Sequence, residues 1–342
     1  MRYKLFGRSG LRVSELCLGA MTFGTEWGWG SDRDESRAVF DAFAEAGGTF
    51  IDTAYIYTDG ASERMLGDFV KADRSHFVVS TKYATMNAPD VTITGTSRKA
   101  MRHAVDESLR RLGTDYIDLY WVHAWDARTP VDELMRGLDD LVSAGKVLYV
   151  GVSNAPAWQV ARCNMLADLR GWAPFVGLQT EYNLLERTAE RELLPMAREL
   201  DIAVTAWSPL AGGVLSGKYD DVGAEGRRAG DALGAREAGI AAEVAAVARE
   251  LGVPTAAAAI AALRALPQGA GVIPLLGART LKQLRENLGC LDVTLSPDQV
   301  ARLDAVSAVS LGSPHEMLDS AYMRGISTGG AFDRLDNHRG RA

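Results

Sequence analysis

Asp52, Tyr57, Lys82 and His123 each stand at, or just past, the C-terminal end of an apolar run. The runs are GGTFIDTAYIY, HFVVSTK and YIDLYWVH. A tyrosine, a lysine and an aspartate form a specific chemical set. The lysine lowers the phenol's pKa, and the aspartate holds the lysine. A phenol tuned in this way gives or takes a proton near neutral pH, as reduction of a carbonyl to an alcohol requires.

Magnitudes support this chemistry. An isolated phenol titrates near about 10. A cation about 4 Å away contributes roughly 4 kcal/mol at an effective dielectric of about 20. That corresponds to up to about three pKa units, part of which desolvation opposes. Lys82 is the candidate cation, and Asp52 keeps it charged and oriented. His123 is placed to hydrogen-bond a substrate oxygen or to tune the proton transfer. A lone aspartate at a strand end is more often a helix cap, and a lone histidine is usually structural. Four suitable groups at the ends of three neighbouring strands point to function.

The elements that must hold these groups follow from periodicity. Short runs rich in Phe, Ile, Val, Tyr and Leu recur near 16–20, 49–53, 76–82, 116–122, 147–152, 175–180, 202–207 and 270–275. Their composition suits buried parallel strands. Helical patterns lie between them. Val39, Phe43 and Ala46 share a face, as do Met101, Val105, Leu109 and Leu112. Leu134, Leu138 and Leu141 repeat the spacing, and so do Ile240, Val244, Val247 and Leu251. Alternation of this kind predicts an α/β fold, a (β/α)8 TIM barrel, whose chemistry sits at the C-terminal ends of the strands. The segment RYKLFGRSGLRVSEL predicts an N-terminal β-hairpin turning near Ser9 and Gly10 and plugging the opposite end.

The chain, 342 residues and 47% hydrophobic, is long enough for one such barrel over 1–342, with 311–342 as a loosely packed C-terminal tail. Residues 211–239 are rich in Gly, Ala and charge, a long loop after the seventh strand. The net charge of −7 and the lack of a basic stripe argue against nucleic acid and anionic membrane as partners. Cys17, Cys163 and Cys290 are widely spaced and form no CxxC pair, so no metal site is expected and a reducing, cytoplasmic setting fits. MRYKLFGRSG has no apolar core of a signal peptide. No apolar stretch reaches membrane-spanning length. Oligomeric state leaves no signal.

No GxGxxG opens a helix after a strand, so a Rossmann site is not supported. Other segments suit a dinucleotide. Ser153 and Asn154 in GVSNA, with Gln179 in LQTEYN, offer hydrogen bonds to a carboxamide. Trp207 offers a flat face for a nicotinamide ring, or simply packs in the core. Gly212, Gly217 and Lys218 match GxxxxGK, but Tyr219 stands where Ser or Thr should hold magnesium, which excludes a nucleoside triphosphatase. Lys218 and nearby amides remain suited to a pyrophosphate. Gly277 and Arg279 precede a helix on which Gln283, Glu286 and Asn287 share a face. A helix start beside an arginine fork suits a phosphate monoester; an ordinary solvated helix is the alternative.

Together these segments resemble the aldo-keto reductase superfamily over nearly the whole chain. The resemblance rests on FGRSGLRVSELCLGAMTFG, FIDTAYIYTDGASERMLG, STKY, LGTDYIDLYWVH, GVSN, QTEYN, WSPLAGGVLSGKY and GART with QLRENL, in that order. It implies a (β/α)8 barrel and reduction of an aldehyde or ketone by hydride from NADPH, with NADH possible. It implies Asp52, Tyr57, Lys82 and His123 as the catalytic set, with Tyr57 as general acid. The implied cofactor set is Gly19, Met21, Ser153, Asn154, Gln179, Trp207, Ser208, Pro209, Leu210, Gly212, Lys218, Gly277, Arg279, Gln283, Glu286 and Asn287. Many members carry Tyr where Trp207 stands, and an indole serves the same purpose. The Gly-x-Arg form at 277–279 resembles bacterial branches with a long seventh loop, in which the arginine meets the 2′-phosphate of NADP. Trp27 and Trp125 are the substrate-contact candidates, with Trp29 and Met86 also in loops after the strands. An aromatic pocket favours apolar or aryl carbonyls. Two rival readings remain: a cofactor-binding regulatory subunit, as in potassium-channel β-subunits, and a Schiff-base aldolase with Lys82 as nucleophile.

Overall fold

Eight short parallel strands close on one another because each is apolar on both faces and needs cover inside and out. The computed structural model describes residues 1–87, 90–218, 233–269 and 271–336. Strands β1 (Tyr3–Leu5) and β2 (Arg12–Ser14) form an antiparallel hairpin. The barrel strands are β3 (Cys17–Gly19), β4 (Phe50–Asp52), β5 (Val78–Tyr83), β6 (Ile117–Val122), β7 (Val147–Ser153), β8 (Phe175–Glu181), β9 (Ala203–Trp207) and β10 (Ile273–Gly277). They pair in sequence order, and β10 closes onto β3. The expected eighth run, 270–275, is displaced toward 277, since Gly271 takes a positive φ of 90° and cannot extend the strand.

Helices α1 (Arg33–Glu45), α2 (Ala61–Val70), α3 (Arg98–Leu112), α4 (Val131–Ser143), α5 (Ala157–Arg170) and α6 (Leu193–Glu199) alternate with the strands. Two helices, α7 (Ala235–Leu251) and α8 (Thr255–Ala265), precede β10, and α9 (Leu281–Leu288) and α10 (Pro297–Ser307) follow it. Their apolar faces are the expected ones: Val39 and Phe43 on α1, Leu134, Leu138 and Leu141 on α4, and Ile240, Val244 and Val247 on α7 are buried. The core has two layers, because successive strand residues point to opposite faces. Leu119 and Trp121 of β6 point inward with Phe50, Val78 and Ile273, while Tyr120 and Val122 face the helices.

The hairpin caps the barrel's N-terminal end. Phe6 is fully buried, its ring edge-on to Phe50 at 5.6 Å and to Trp121 at 6.3 Å. Gly7 next to it has φ 56°, and a Cβ there would lie 2.6 Å from the Val176 carbonyl oxygen. Only glycine allows that approach. The other end is left open for the site.

The chain divides into two compact units, Met1–Ser307 and the residues from Ala308 onward. The second unit holds α11 (His315–Leu318) and α12 (Ala321–Ser327), neither with a buried residue. Of the expected long loop, 219–232 lies outside the described residues, as does 337–342 of the expected tail. Among the described residues no single helix is long and apolar enough to cross a membrane.

Candidate active site

Parallel pairing brings the ends of β4, β5 and β6 level. Asp52 pairs with Ser80, and Lys82 with Trp121 one residue before the strand ends. Asp52 and Lys82 are both buried and form an ion pair. A buried carboxylate needs hydrogen bonds on both oxygens. Lys82 Nζ donates to Oδ2, while Ser80 Oγ at 2.7 Å and Gln179 Nε2 at 3.3 Å donate to Oδ1. Lys82 also donates to the Thr53 carbonyl at 2.8 Å and to Tyr57 Oη at 3.2 Å. Burial works against the lysine charge, but Asp52 and then Tyr57 outweigh it and raise its pKa.

Tyr57 stands in the loop between β4 and α2. It is followed by three positive-φ residues, Thr58 (46°), Asp59 (52°) and Gly60 (84°). This turn aims the phenol back over the strand ends. Its ring meets the His123 ring edge-on at 5.7 Å and the Trp27 ring at 6.4 Å. His123 Nδ1 and Thr85 Oγ1 share a hydrogen bond of 2.7 Å. Burial, and then the Lys82 charge, lower the imidazole's pKa to about 3. His123 is therefore neutral at physiological pH.

Asp52, Tyr57 and His123 open onto a cavity of about 990 Å³. The residues expected to touch a dinucleotide all line it. Gly19 and Met21 come from β3 and its loop, Ser153 and Asn154 from β7, and Gln179 from β8. Trp207, Ser208, Pro209, Leu210, Gly212 and Lys218 come from β9 and beyond, and Gly277, Arg279, Gln283, Glu286 and Asn287 from β10 and α9. Of the aromatic candidates, Trp29 lines the cavity, and the Trp27 ring lies tilted against the Trp29 ring, centroids 5.7 Å apart. Trp125 does not line the cavity; it packs against the core, its amide bonded to the Asn154 carbonyl. Sequence reasoning missed Thr22, Gly28, Gly30, Ala256 and Ala278, which also line the cavity. The two glycines alternate with Trp27 and Trp29, which is the signal the sequence offers, and in the structure they take φ of 76° and 126°.

The cavity fits a nicotinamide dinucleotide by its chemistry. Ser153 Oγ is buried at the wall with no hydrogen-bond partner, which a ligand amide would supply. Asn154 is already engaged: its Nδ2 donates to the His123 carbonyl at 3.0 Å, and its Oδ1 accepts from Trp207 Nε1 at 3.2 Å. These bonds fix the indole. The Ser208 carbonyl, at a residue with φ 56°, accepts from Asn183 Nδ2 at 3.0 Å. Lys218 folds over Gly213, whose added Cβ would lie 2.7 Å from Nζ. Tyr219, the residue argued against a magnesium site, is outside the described residues.

At the far end the α9 start is less open than the sequence implied. The Leu281 amide donates to the Glu35 carboxylate at 2.6 Å, the Gln283 amide to Thr280 Oγ1, and the Arg279 amide to Gln283 Oε1. These three amides are therefore already bonded within the protein, while Arg279 lines the cavity. Among the described residues, no group of three or more His, Cys, Asp or Glu is placed to hold a metal ion.

A family model described as the aldo/keto reductase family matches residues 15–308. Norsolorinic acid reductase of Aspergillus flavus is 36% identical over 331 residues, covering 92% of this chain and 83% of its own length. An aryl-alcohol dehydrogenase [NADP(+)] of Phanerodontia chrysosporium is 36% identical over 334 residues, 90% of this chain and 86% of the relative. A norsolorinic acid reductase of Emericella nidulans is 38% identical over 338 residues, with 91% and 82% covered. These relatives are fungal and lend no support to the bacterial branch that the Gly-x-Arg form suggested.

Proposed function

The chain belongs to the aldo/keto reductase family and is an oxidoreductase, and we propose that it reduces an aryl aldehyde or ketone with NADPH, Tyr57 giving the proton. The observation that carries this reading is the hydrogen bond of 3.2 Å from buried Lys82 to Tyr57 Oη, at the mouth of the cavity. When bound, the nicotinamide cofactor supplies hydride to the carbonyl carbon. Tyr57 gives its proton to the carbonyl oxygen, so the phenol O–H bond breaks as the alcohol O–H bond forms. The charge left on Oη is held by the Lys82 ammonium, and solvent returns the proton. Asp52 keeps that ammonium charged and aimed. Neutral His123 hydrogen-bonds the substrate oxygen and orients it toward Oη.

Ser153, Asn154 and Gln179 hold the carboxamide, Trp207 faces the ring, and Lys218 meets the pyrophosphate. Arg279 meets the 2′-phosphate, which favours NADPH over NADH because a ribose hydroxyl cannot use the charge. The aromatic wall of Trp29, backed by Trp27, suits an aryl carbonyl. The aryl-alcohol and norsolorinic acid specificities in the relatives' names agree with this class.

A Schiff-base aldolase needs an uncharged amine. Lys82 is ion-paired and its pKa is raised, which speaks against that chemistry. The test is a fluorescence titration with NADPH and NADH, followed by turnover with aryl and aliphatic aldehydes. Tyr57→Phe keeps NADPH affinity and loses about 10²–10⁴-fold in reduction, the usual worth of a general acid. Turnover near that of the unmodified protein would remove Tyr57 from the role. Borohydride trapping of a carbonyl compound on Lys82 would favour the aldolase.

A further inference from the structure

The segment carrying Tyr57 is gripped at both ends by one side chain outside the site described so far. Arg111, on α3, donates from Nη1 to the Tyr55 carbonyl at 2.8 Å and to Glu63 Oε2 at 3.1 Å, and from Nε to Glu107 Oε1 at 2.9 Å. Its guanidinium lies over the Tyr55 ring at 4.3 Å. At the other end it packs on the Gly60 backbone, where an added Cβ would lie 2.6 Å from Cζ. The residues between, Thr58 and Asp59, have φ of 46° and 52°, a conformation L-residues adopt rarely without support. Glu63 is fully buried and also accepts from Thr81 Oγ1 at 2.7 Å, one residue before Lys82. The same network therefore reaches both partners of the Lys82–Tyr57 hydrogen bond.

We propose that Arg111, together with Glu63, is a positioning residue that holds Tyr57 against Lys82 for proton transfer. The proposal rests on the reading of Tyr57 as the proton donor. A planar guanidinium supplies donors in several directions and a face for stacking. A lysine at this position keeps the charge and three donors on a single atom but has no planar face to cover the Tyr55 ring and lie on Gly60 together. Arg111 acts from 12% exposure and does not line the cavity. Its loss therefore alters the placement of the phenol without removing a contact to cofactor.

The test uses the full chain as Arg111→Lys and, independently, the near-isosteric Glu63→Gln, each alone and combined with Tyr57→Phe. We expect kcat to fall at least about tenfold in each single variant, since a misplacement of about 1 Å costs on the order of 10²-fold. NADPH affinity should stay within about twofold, because uniform binding is not touched. The solvent isotope effect on kcat should rise as proton transfer becomes more limiting. In the Tyr57→Phe background the residual rate should change by less than about twofold, since nothing is left to position. An equal loss in both backgrounds shows a general structural effect and overturns the proposal. Inactive Tyr57→Phe beside fully active, folded Arg111→Lys and Glu63→Gln overturns the positioning role alone. Fully active Tyr57→Phe overturns the proton-donor reading and this proposal with it.

Discussion

Removing the Lys82 charge tests the electrostatic half of the mechanism. Nζ lies 3.2 Å from Tyr57 Oη. At that separation a unit charge is worth about 5 kcal/mol to an oxyanion at an effective dielectric of about 20. Asp52, in contact with the ammonium, opposes it and leaves on the order of 2–3 kcal/mol. The double variant Lys82→Met/Asp52→Asn, which loses this net stabilisation, should therefore lower kcat about 10²-fold, and Lys82→Met alone, which leaves the Asp52 charge unopposed, should lower it further. The single variant also strands a buried carboxylate, at a cost of about 3–5 kcal/mol in stability. Asp52→Asn removes that charge and keeps an acceptor for Ser80 Oγ, so Lys82→Met/Asp52→Asn separates chemistry from folding. The raised pKa of Lys82 means the pair's stabilisation is fully present below the unfolded value, near about 10.4. It is lost only as pH rises through the folded value. Between pH 6 and 9, roughly, the comparison is free of this titration. The assay is NADPH absorbance during turnover, with affinity by fluorescence titration and folding by urea denaturation. A folded double variant that binds NADPH normally and turns over within about threefold of the unmodified protein would refute the argument.

His123, with a folded pKa of about 3, takes up its proton near pH 6.5 only in the unfolded chain. Acidification from about pH 6.5 to 4 should then cost at most about 3 kcal/mol through this residue, and His123→Gln should lose correspondingly less in urea unfolding at pH 4 than at pH 7. An equal acid sensitivity would show that the imidazole is accessible to protons in the folded state. Arg279→Ala should weaken NADPH by about 1.5–3 kcal/mol, the range for a hydrogen bond to a charged group, and leave NADH nearly unchanged. Equal affinity of the unmodified protein for both cofactors would show that Arg279, with Glu35 at the same helix start, faces something else. Gly7→Ala should destabilise by about 2–5 kcal/mol, from left-handed backbone strain and overpacking against β8 and β9. Per folded molecule its kcat should be unchanged, since Gly7 lies at the opposite end of the barrel; a kcat loss larger than the loss of folded protein would contradict that separation.

The strand and helix order, the N-terminal hairpin and the position of Asp52, Tyr57, Lys82 and His123 at or just past strand ends are legible in the chain alone. Each depends on near neighbours: apolar periodicity, turn residues, and polar groups placed just past a strand. Contacts between distant residues were not legible. Gln179, read from its segment as a carboxamide contact, also bonds Asp52, 127 residues earlier. The α9 start looked open to phosphate, yet Glu35 takes the Leu281 amide across 246 residues. Trp27, Trp29 and Trp125 are alike in sequence, but only Trp29 reaches the cavity. Arg111 reads as one more charge on an amphipathic helix until barrel closure sets it against Tyr55, Gly60 and Glu63. Local pattern determines which face of an element is buried. Which distant side chain meets a given donor or acceptor is decided by the register and closure of the eight strands, because hydrogen bonds act over about 3 Å and only the assembled barrel brings such residues that close.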